Sequence, residues 1–146
     1  MYKKILVPLD GSELAEAVLP HAEALAKSED AEIVLLRVAV TPDASMFSRN
    51  PALINNIIQD MDAETDAYVK TEVSKLRDEG LKVSGITRDG FVPETILEVA
   101  DETHADVIAM STHGRTGVKR WLMGSVADKV VHYSRIPVML IHPSPN

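Results

Sequence analysis

Residues 111–130, STHGRTGVKRWLMGSVADKV, follow directly on an apolar run and carry three glycines within eleven residues. The basic residues Arg115, Lys119 and Arg120 meet no acid before Asp128, in a chain whose net charge is −7. Glycines, hydroxyls and cations gathered straight after a strand-like run describe a loop built around backbone donors. Gly114 and Gly117 can adopt positive φ and turn their N–H groups inward, and such a concavity binds anions, commonly phosphate. Ser125 stands just ahead of the next helical pattern. Its N–H and those of Val126 and Ala127 are therefore expected as unpaired helix-start donors. Loop and helix start together offer room for two or more phosphates.

The flanking sequence places this loop in a fold. Upstream, ADVIAMS (105–111) reads as a buried strand; downstream come a helix over 121–133 and a closing strand, IPVMLIHP (136–143). Nearer the start, KKILVPLD (3–10) reads as a first strand ending at Asp10-Gly11. Leu14, Val18, Ala22 and Leu25 then mark an amphipathic helix, and AEIVLLRVAV (31–40) a second buried strand. TPDASMFSRNP breaks the pattern with two prolines. From Ala52 to Glu79 the apolar positions Leu53, Ile57, Met61, Tyr68 and Leu76 predict one helix of roughly 40 Å, with Gly80 suited to its end. LKVSGITRDG (81–90) reads as an edge strand because Lys82, Ser84 and Thr87 alternate with apolar residues, and PETILEVADETH (93–104) as a short helix with proline near its first turn. Strands alternating with helices predict a single-domain α/β fold, an open parallel five-stranded sheet with helices on both faces.

The totals narrow the field. A chain of 146 residues suits one domain with a real core, and its 45% apolar and 25% charged residues are ordinary for a globular protein. The acidic balance argues against a nucleic-acid or anionic-membrane binder, either of which needs a basic face. With no cysteine there is neither disulfide nor thiolate chemistry. The apolar run in MYKKILVPLDG is too short for a signal-peptide core or a membrane span, which makes the cytoplasm the expected location.

Ligands of open parallel sheets bind beyond the carboxyl ends of the strands, where strand order reverses. With order 3-2-1-4-5 the crevice brings Pro8, Leu9 and Asp10 next to Ser111, Thr112 and His113; with order 2-1-3-4-5 it lies beside Asp89-Gly90-Phe91. The loop after the fourth strand has the glycines, hydroxyls and cations, so chemistry favours the first order.

This pattern resembles the universal stress protein family. Its nucleotide-binding signature, G-x-x-G-x9-G-[ST], corresponds here to Ser111-Thr112-His113-Gly114, nine residues, then Gly124-Ser125. KKILVPLDGSELAEAVL is similar to the family's opening, LLRV to the end of its second strand, and IPVMLI to its closing strand. The resemblance implies order 3-2-1-4-5, an adenine nucleotide alpha hydrolase-like fold and ATP as ligand, with Mg2+ arriving on the phosphates. It implies that Pro8, Leu9 and Asp10 border the adenosine, with Asp10 accepting from a ribose hydroxyl, and that Val38 meets the adenine. Ser111, Thr112, His113, Gly114, Arg115, Thr116 and Gly117 would wrap ribose and phosphates, and Ser125, Val126 and Ala127, next to Gly124, would take the terminal phosphates. It also implies a homodimer through the closing strand, residues 136–142, whose apolar edge invites pairing. Serine at 111 departs from the signature glycine. If that position needs positive φ or close backbone approach, serine obstructs the site; if it simply ends a strand, its hydroxyl adds a donor.

Structural readings stand beside these. Ser125 to Asp128 also fits a capping box, Asp10 with Glu13 fits a helix cap, the glycines fit turns, and the cations fit a solvated loop. His113 has no acid or nucleophile near it in sequence, and His21, His104, His132 and His142 show no metal-ligand spacing. The chain has no G-x-x-x-x-G-K-[ST] and no G-x-G-x-x-G after the first strand. Phosphoryl transfer needs a positioned nucleophile and usually a metal held by carboxylates, and Asp10 is the one obvious carboxylate at the crevice. The expectation is a nucleotide-dependent regulatory or stress-response module with at most slow hydrolysis and no catalytic residue. A true ATPase or phosphatase, with His113 activating water, and a ligand-free interaction protein are the alternatives.

Overall fold

A computed structural model describes residues 1–40, 50–114 and 123–143. Its elements run β1 (Lys4–Leu9), α1 (Glu13–Glu16), α2 (Leu19–Glu29), β2 (Glu32–Val40), α3 (Pro51–Asp78), β3 (Lys82–Gly90), α4 (Val92–Thr103), β4 (Val107–Ser111), α5 (Ser125–Tyr133) and β5 (Val138–Ile141). The strands form one five-stranded sheet in the order β3-β2-β1-β4-β5, parallel throughout. The strand order selected from the loop chemistry is the one observed.

Side chains alternate along each strand, so the sheet has two apolar faces. Ile5, Val7 and Leu9 of β1 with Ile33 and Leu35 of β2 pack against Ala15, Val18, Ala22 and Ala26 of the first helical stretch and Val69, Val73 and Leu76 of α3. Leu6, Leu36, Ile108 and Met110 pack on the opposite side against Ile96, Val99 and Ala100 of α4 and Ala127 and Val130 of α5. Gly85 in β3 lies so close beneath α3 that a Cβ there would overlap the Val69 side chain and approach Val73.

The helix predicted as continuous after β1 is divided. Pro20 lies in the first turn of α2 and has no N–H for the Glu16 carbonyl, and its ring crowds that carbonyl, so a continuous helix cannot pass this point. α1 stops at Glu16, and Val18 opens the second segment, its carbonyl accepting from Ala22 N at 2.9 Å. His104, one of the scattered histidines, closes α4 in a left-handed conformation, its N–H bonded to the carbonyls of Ala100 and Asp101. β3 lies at one edge and β5 at the other. Among the described residues no helix is long and apolar enough to cross a membrane.

One irregularity in β1 positions the site. Lys4 directs its N–H and carbonyl toward β4, since its carbonyl accepts from Asp106 N and its N–H donates to Asp106. Even-numbered residues of β1 therefore face β4, and the N–H that Pro8 lacks is missing from that side. β1 pairs with β4 only at Ile5↔Val107 and Leu6↔Ile108, whereas it stays paired with β2 through Leu9↔Arg37. Beyond Leu6 the two strands part, opening a crevice at the point where the order reverses.

Candidate functional site

A cavity of about 370 Å³ fills this crevice. That size is within the range of small-molecule sites. The end of β1 supplies one wall through Pro8, Leu9 and Asp10. Gly11 turns the chain with φ 87°, and Asp10 Oδ1 accepts from Ser12 N at 2.9 Å and from Ser12 Oγ at 2.6 Å. Ser12 Oγ in turn accepts from Ala15 N at 3.1 Å, so the cap of α1 is Ser12. The reading of Asp10 as that cap is corrected: it holds the cap in place, and its carboxylate lies against Gly114 across the crevice.

The opposite wall is the end of β4. Ser111 is a buried strand residue, and the non-glycine residues with positive φ among those described are Asp30 and His104. The position makes no conformational demand for glycine, and Ser111 Oγ accepts from His113 N at 3.3 Å. Thr112 is fully enclosed; its N–H donates to the Ile141 carbonyl at 2.9 Å, tying this wall to β5. Thr112 Oγ1 lies 2.9 Å from His113 Nδ1 and 3.4 Å from His142 Nδ1, so the adjacent threonine anchors His113. Gly114 lacks the positive φ expected of it, which among the described glycines belongs to Gly11, Gly80 and Gly90. What it needs instead is proximity, because a Cβ would run into the Asp10 carboxylate.

The third wall is the start of α5. Gly124 is the cap residue, with φ −59° and ψ 154°, and its N–H donates to the Thr112 carbonyl at 2.8 Å. Ser125 is thus the first helical residue and makes no capping bond, which removes the capping-box reading of Ser125 and Asp128. Gly124 has no side chain to cap with, so the first-turn N–H groups of Ser125, Val126 and Ala127 have no side-chain acceptor at the cap, and all three residues line the cavity. Val38 forms part of an apolar wall with Leu36, Val92, Ile96 and Met110.

Every described residue of the predicted site set therefore lines the same cavity. Arg115, Thr116 and Gly117 lie outside the described residues, as do Lys119, Arg120 and the Met46-Phe47 pair. No group of three or more His, Asp or Glu residues suited to a metal ion occurs among the described residues.

The cavity also includes residues that sequence reasoning missed: Ala15 of α1, Arg37 and Ala39 of β2, and Met61 and Thr65 of α3. Ala39 and Arg37 flank Val38 and could have been found by extending that position along its strand. Met61 and Thr65 carry no local signal; α3 brings them in from far along the chain. Behind them, Arg37 stacks on the Tyr68 ring at 4.9 Å. Burial first, then the nearby carboxylates of Glu16 and Glu72, raise the Tyr68 hydroxyl above its ordinary range. Burial and then Glu72 likewise raise Glu16 above 4.5. The native state thus holds the Glu16 proton more tightly than the unfolded chain, and the stability this group contributes is lost as pH rises through the window above 4.5. Glu16→Gln is expected to unfold a few tenths of a kcal/mol later at neutral pH, where solvent screens part of the effect. Denaturant melts should show that gain vanishing below pH 4.5; a gain independent of pH would contradict the assignment.

A profile described as the Universal stress protein family matches residues 1–142. Universal stress protein MJ0531 of Methanocaldococcus jannaschii is 34% identical over 143 residues, covering 97% of this chain and 82% of the relative. Universal stress protein MJ0577 of the same organism is 32% identical over 154 residues, covering 97% and 95%. Its solved structure superposes with a TM-score of 0.88, covering 100% of this chain and 99% of that one. An Arabidopsis thaliana universal stress protein family structure with AMP bound shares the fold at 20% identity, with a TM-score of 0.71 and coverage of 98% and 93%. With its adenine nucleotide alpha hydrolase-like sheet and a family match along nearly its whole length, this chain belongs to the universal stress protein family.

Proposed function

We propose that the cavity binds an adenine nucleotide, ATP with Mg2+ on its phosphates, and that the chain acts as a nucleotide-dependent regulatory module in a stress response. One observation carries this reading: a helix start without a side-chain cap, the glycine-bearing loop after β4, a carboxylate and an apolar wall meet in one cavity of nucleotide size. Each element suits one part of the ligand. Val38, Leu36 and Ile96 offer a purine an apolar surface, Asp10 offers a ribose hydroxyl an acceptor, and the N–H groups of residues 125–127 offer phosphate oxygens their donors. The AMP-bound relative supports the adenine assignment. Triphosphate is favoured over monophosphate because the first-turn N–H groups of residues 125–127 line the same cavity and add donors to those of the loop after β4.

Hydrolysis is expected to be slow at most. Asp10 is already engaged by Ser12 and is assigned to the ribose, and His113 Nδ1 is engaged by Thr112. Phosphate release from Mg-ATP should be negligible over hours. Release that disappears in His113→Ala would replace this reading with an ATPase. Melting tests binding itself. Mg-ATP at a hundred times its dissociation constant should stabilise the fold by about 2.7 kcal/mol; an unchanged transition would leave a nucleotide-free interaction protein.

The assembly proposed is a homodimer through residues 136–142. β5 is an edge strand, and Val138, Met139, Leu140 and Ile141 are each only partly covered within one chain. An apolar edge of this kind favours pairing with a second copy. Val138→Lys combined with Leu140→Lys should give a monomer in light scattering. A dimer of undiminished stability would place the interface elsewhere.

A further inference from the structure

The phosphate donors lie on the β4 and α5 side of the crevice, yet a second polar site lies on the other side of β1. Arg37 is 8% exposed and Thr65 5% exposed; both line the cavity. Among the described residues neither side chain makes a hydrogen bond and Arg37 makes no ion pair. The sealed, unpartnered side-chain polar atom among the described residues is Tyr68 Oη, so the Arg37 nitrogens and the Thr65 hydroxyl open onto space. A guanidinium cannot discharge by losing its proton, and a buried charge without a counter-charge is costly. The Tyr68 face offsets part of that cost. Of the acids nearby, Glu72 is bonded to Lys75 at 3.1 Å, and neither Glu72 nor Glu16 forms an ion pair with Arg37 among the described residues.

We propose that Arg37 and Thr65 form a second anion subsite, which takes a phosphate group next to the nucleotide's ribose. The position follows from register, since Arg37 pairs with Leu9, the residue before Asp10. If Asp10 meets the ribose, as the proposed function has it, Arg37 stands at the ribose edge, away from the chain of phosphates on the 5′ side. Arginine is the side chain that dinucleotide-binding folds place against a ribose phosphate. A guanidinium with a hydroxyl beside it supplies charge-assisted bonds to such a group. The phosphate belongs either to the 2′- or 3′-hydroxyl of the nucleotide or to a free phosphate ion beside it. This inference rests on the adenine-nucleotide reading.

Calorimetric titration of the full chain separates the outcomes. The probes are AMP, adenosine 2′,5′-bisphosphate, adenosine 3′,5′-bisphosphate, and AMP with inorganic phosphate added. One bisphosphate binding at least about tenfold more tightly than AMP, with the ratio falling to near one in Arg37→Met, supports the subsite and assigns it to a ribose phosphate. Equal affinities for AMP and both bisphosphates, with AMP strengthened by inorganic phosphate in wild type but not in Arg37→Met, support the subsite with a free ion as its occupant. If AMP binds and neither increment exists, or if the increment survives Arg37→Met, the subsite is refuted while the nucleotide reading stands. If neither AMP nor ATP binds, the nucleotide reading itself fails and this inference with it. Thr65→Val keeps the shape of the helix residue, so it carries the test should Arg37→Met fail to fold. There the increment should shrink at least about threefold, and an undiminished increment overturns the proposal.

Discussion

Gly124→Val is expected to abolish nucleotide binding and to lower unfolding stability by about 1–3 kcal/mol. The reason is space. Even the first carbon of a side chain at 124 would sit 2.8 Å from the Thr112 carbonyl oxygen and 3.7 Å from His113 Cα. These neighbours are backbone, so no rotamer change relieves the overlap. Thr112 is also held from its other side by the Ile141 carbonyl. What must move is the start of α5, and with it the N–H groups of residues 125–127. Binding would be lost through displaced donors even if the chain still folded. Titration with Mg-ATP and a denaturant melt of the same sample measure the two effects separately. Affinity within about twofold of wild type would show that the α5 start takes no part in binding.

Leu36→Ala acts on the apolar wall and should cost about 2–5 kcal/mol. Leu36 is 1% exposed, belongs to the core cluster under α4 and α5, and also lines the cavity. Its truncation removes packing from beneath the sheet and leaves a hollow on the expected purine side. A denaturant midpoint measures the stability loss. Because the base would lose contact area, nucleotide affinity should also fall, whereas the same truncation at Leu76, which packs on the other face, should cost stability and leave affinity largely intact. Equal losses of affinity in both variants would mean that the core responds as a whole and that the purine wall is not local to Leu36.

Most of the scaffold was legible because its signals are short-range. The apolar runs at 31–40 and 105–111 and the helical spacing from Leu53 to Leu76 each report a local periodicity, and each element formed near its predicted bounds. Strand order is long-range, and it followed from asking which loop could hold a ligand. The errors came from geometry that residue type alone does not encode. Leu14 to Leu25 keeps helical spacing across a proline that the helix cannot accommodate unbroken. Ser125 and Asp128 have the right types for a capping box, but the chain caps one residue earlier, at Gly124. Gly114 suggests by residue type a demand on φ, whereas its requirement is closeness to Asp10.

The site divides along the same line. Residues adjoining the strand ends, Pro8 to Asp10 and Ser111 to Gly114, could be read from the sequence because topology brings all such ends together. Arg37 could not. Its charge suggests solvent, and only the fold shows that α3 covers it and that Tyr68 lies beneath its guanidinium. Thr65 is an ordinary mid-helix threonine until α3 is laid across the sheet. Ser111 needed the structure for a different reason: whether position 111 demands positive φ depends on backbone conformation, and as a buried strand residue it does not.

The most direct test of the account is a crystal of the full chain soaked in excess Mg-ATP. One nucleotide per chain is expected between β1 and β4, its ribose against Asp10, its base beside Val38 and its outer phosphates on the N–H groups of residues 125–127. A well-ordered crystal with that cavity holding only solvent, or with nucleotide bound at another surface, would contradict it.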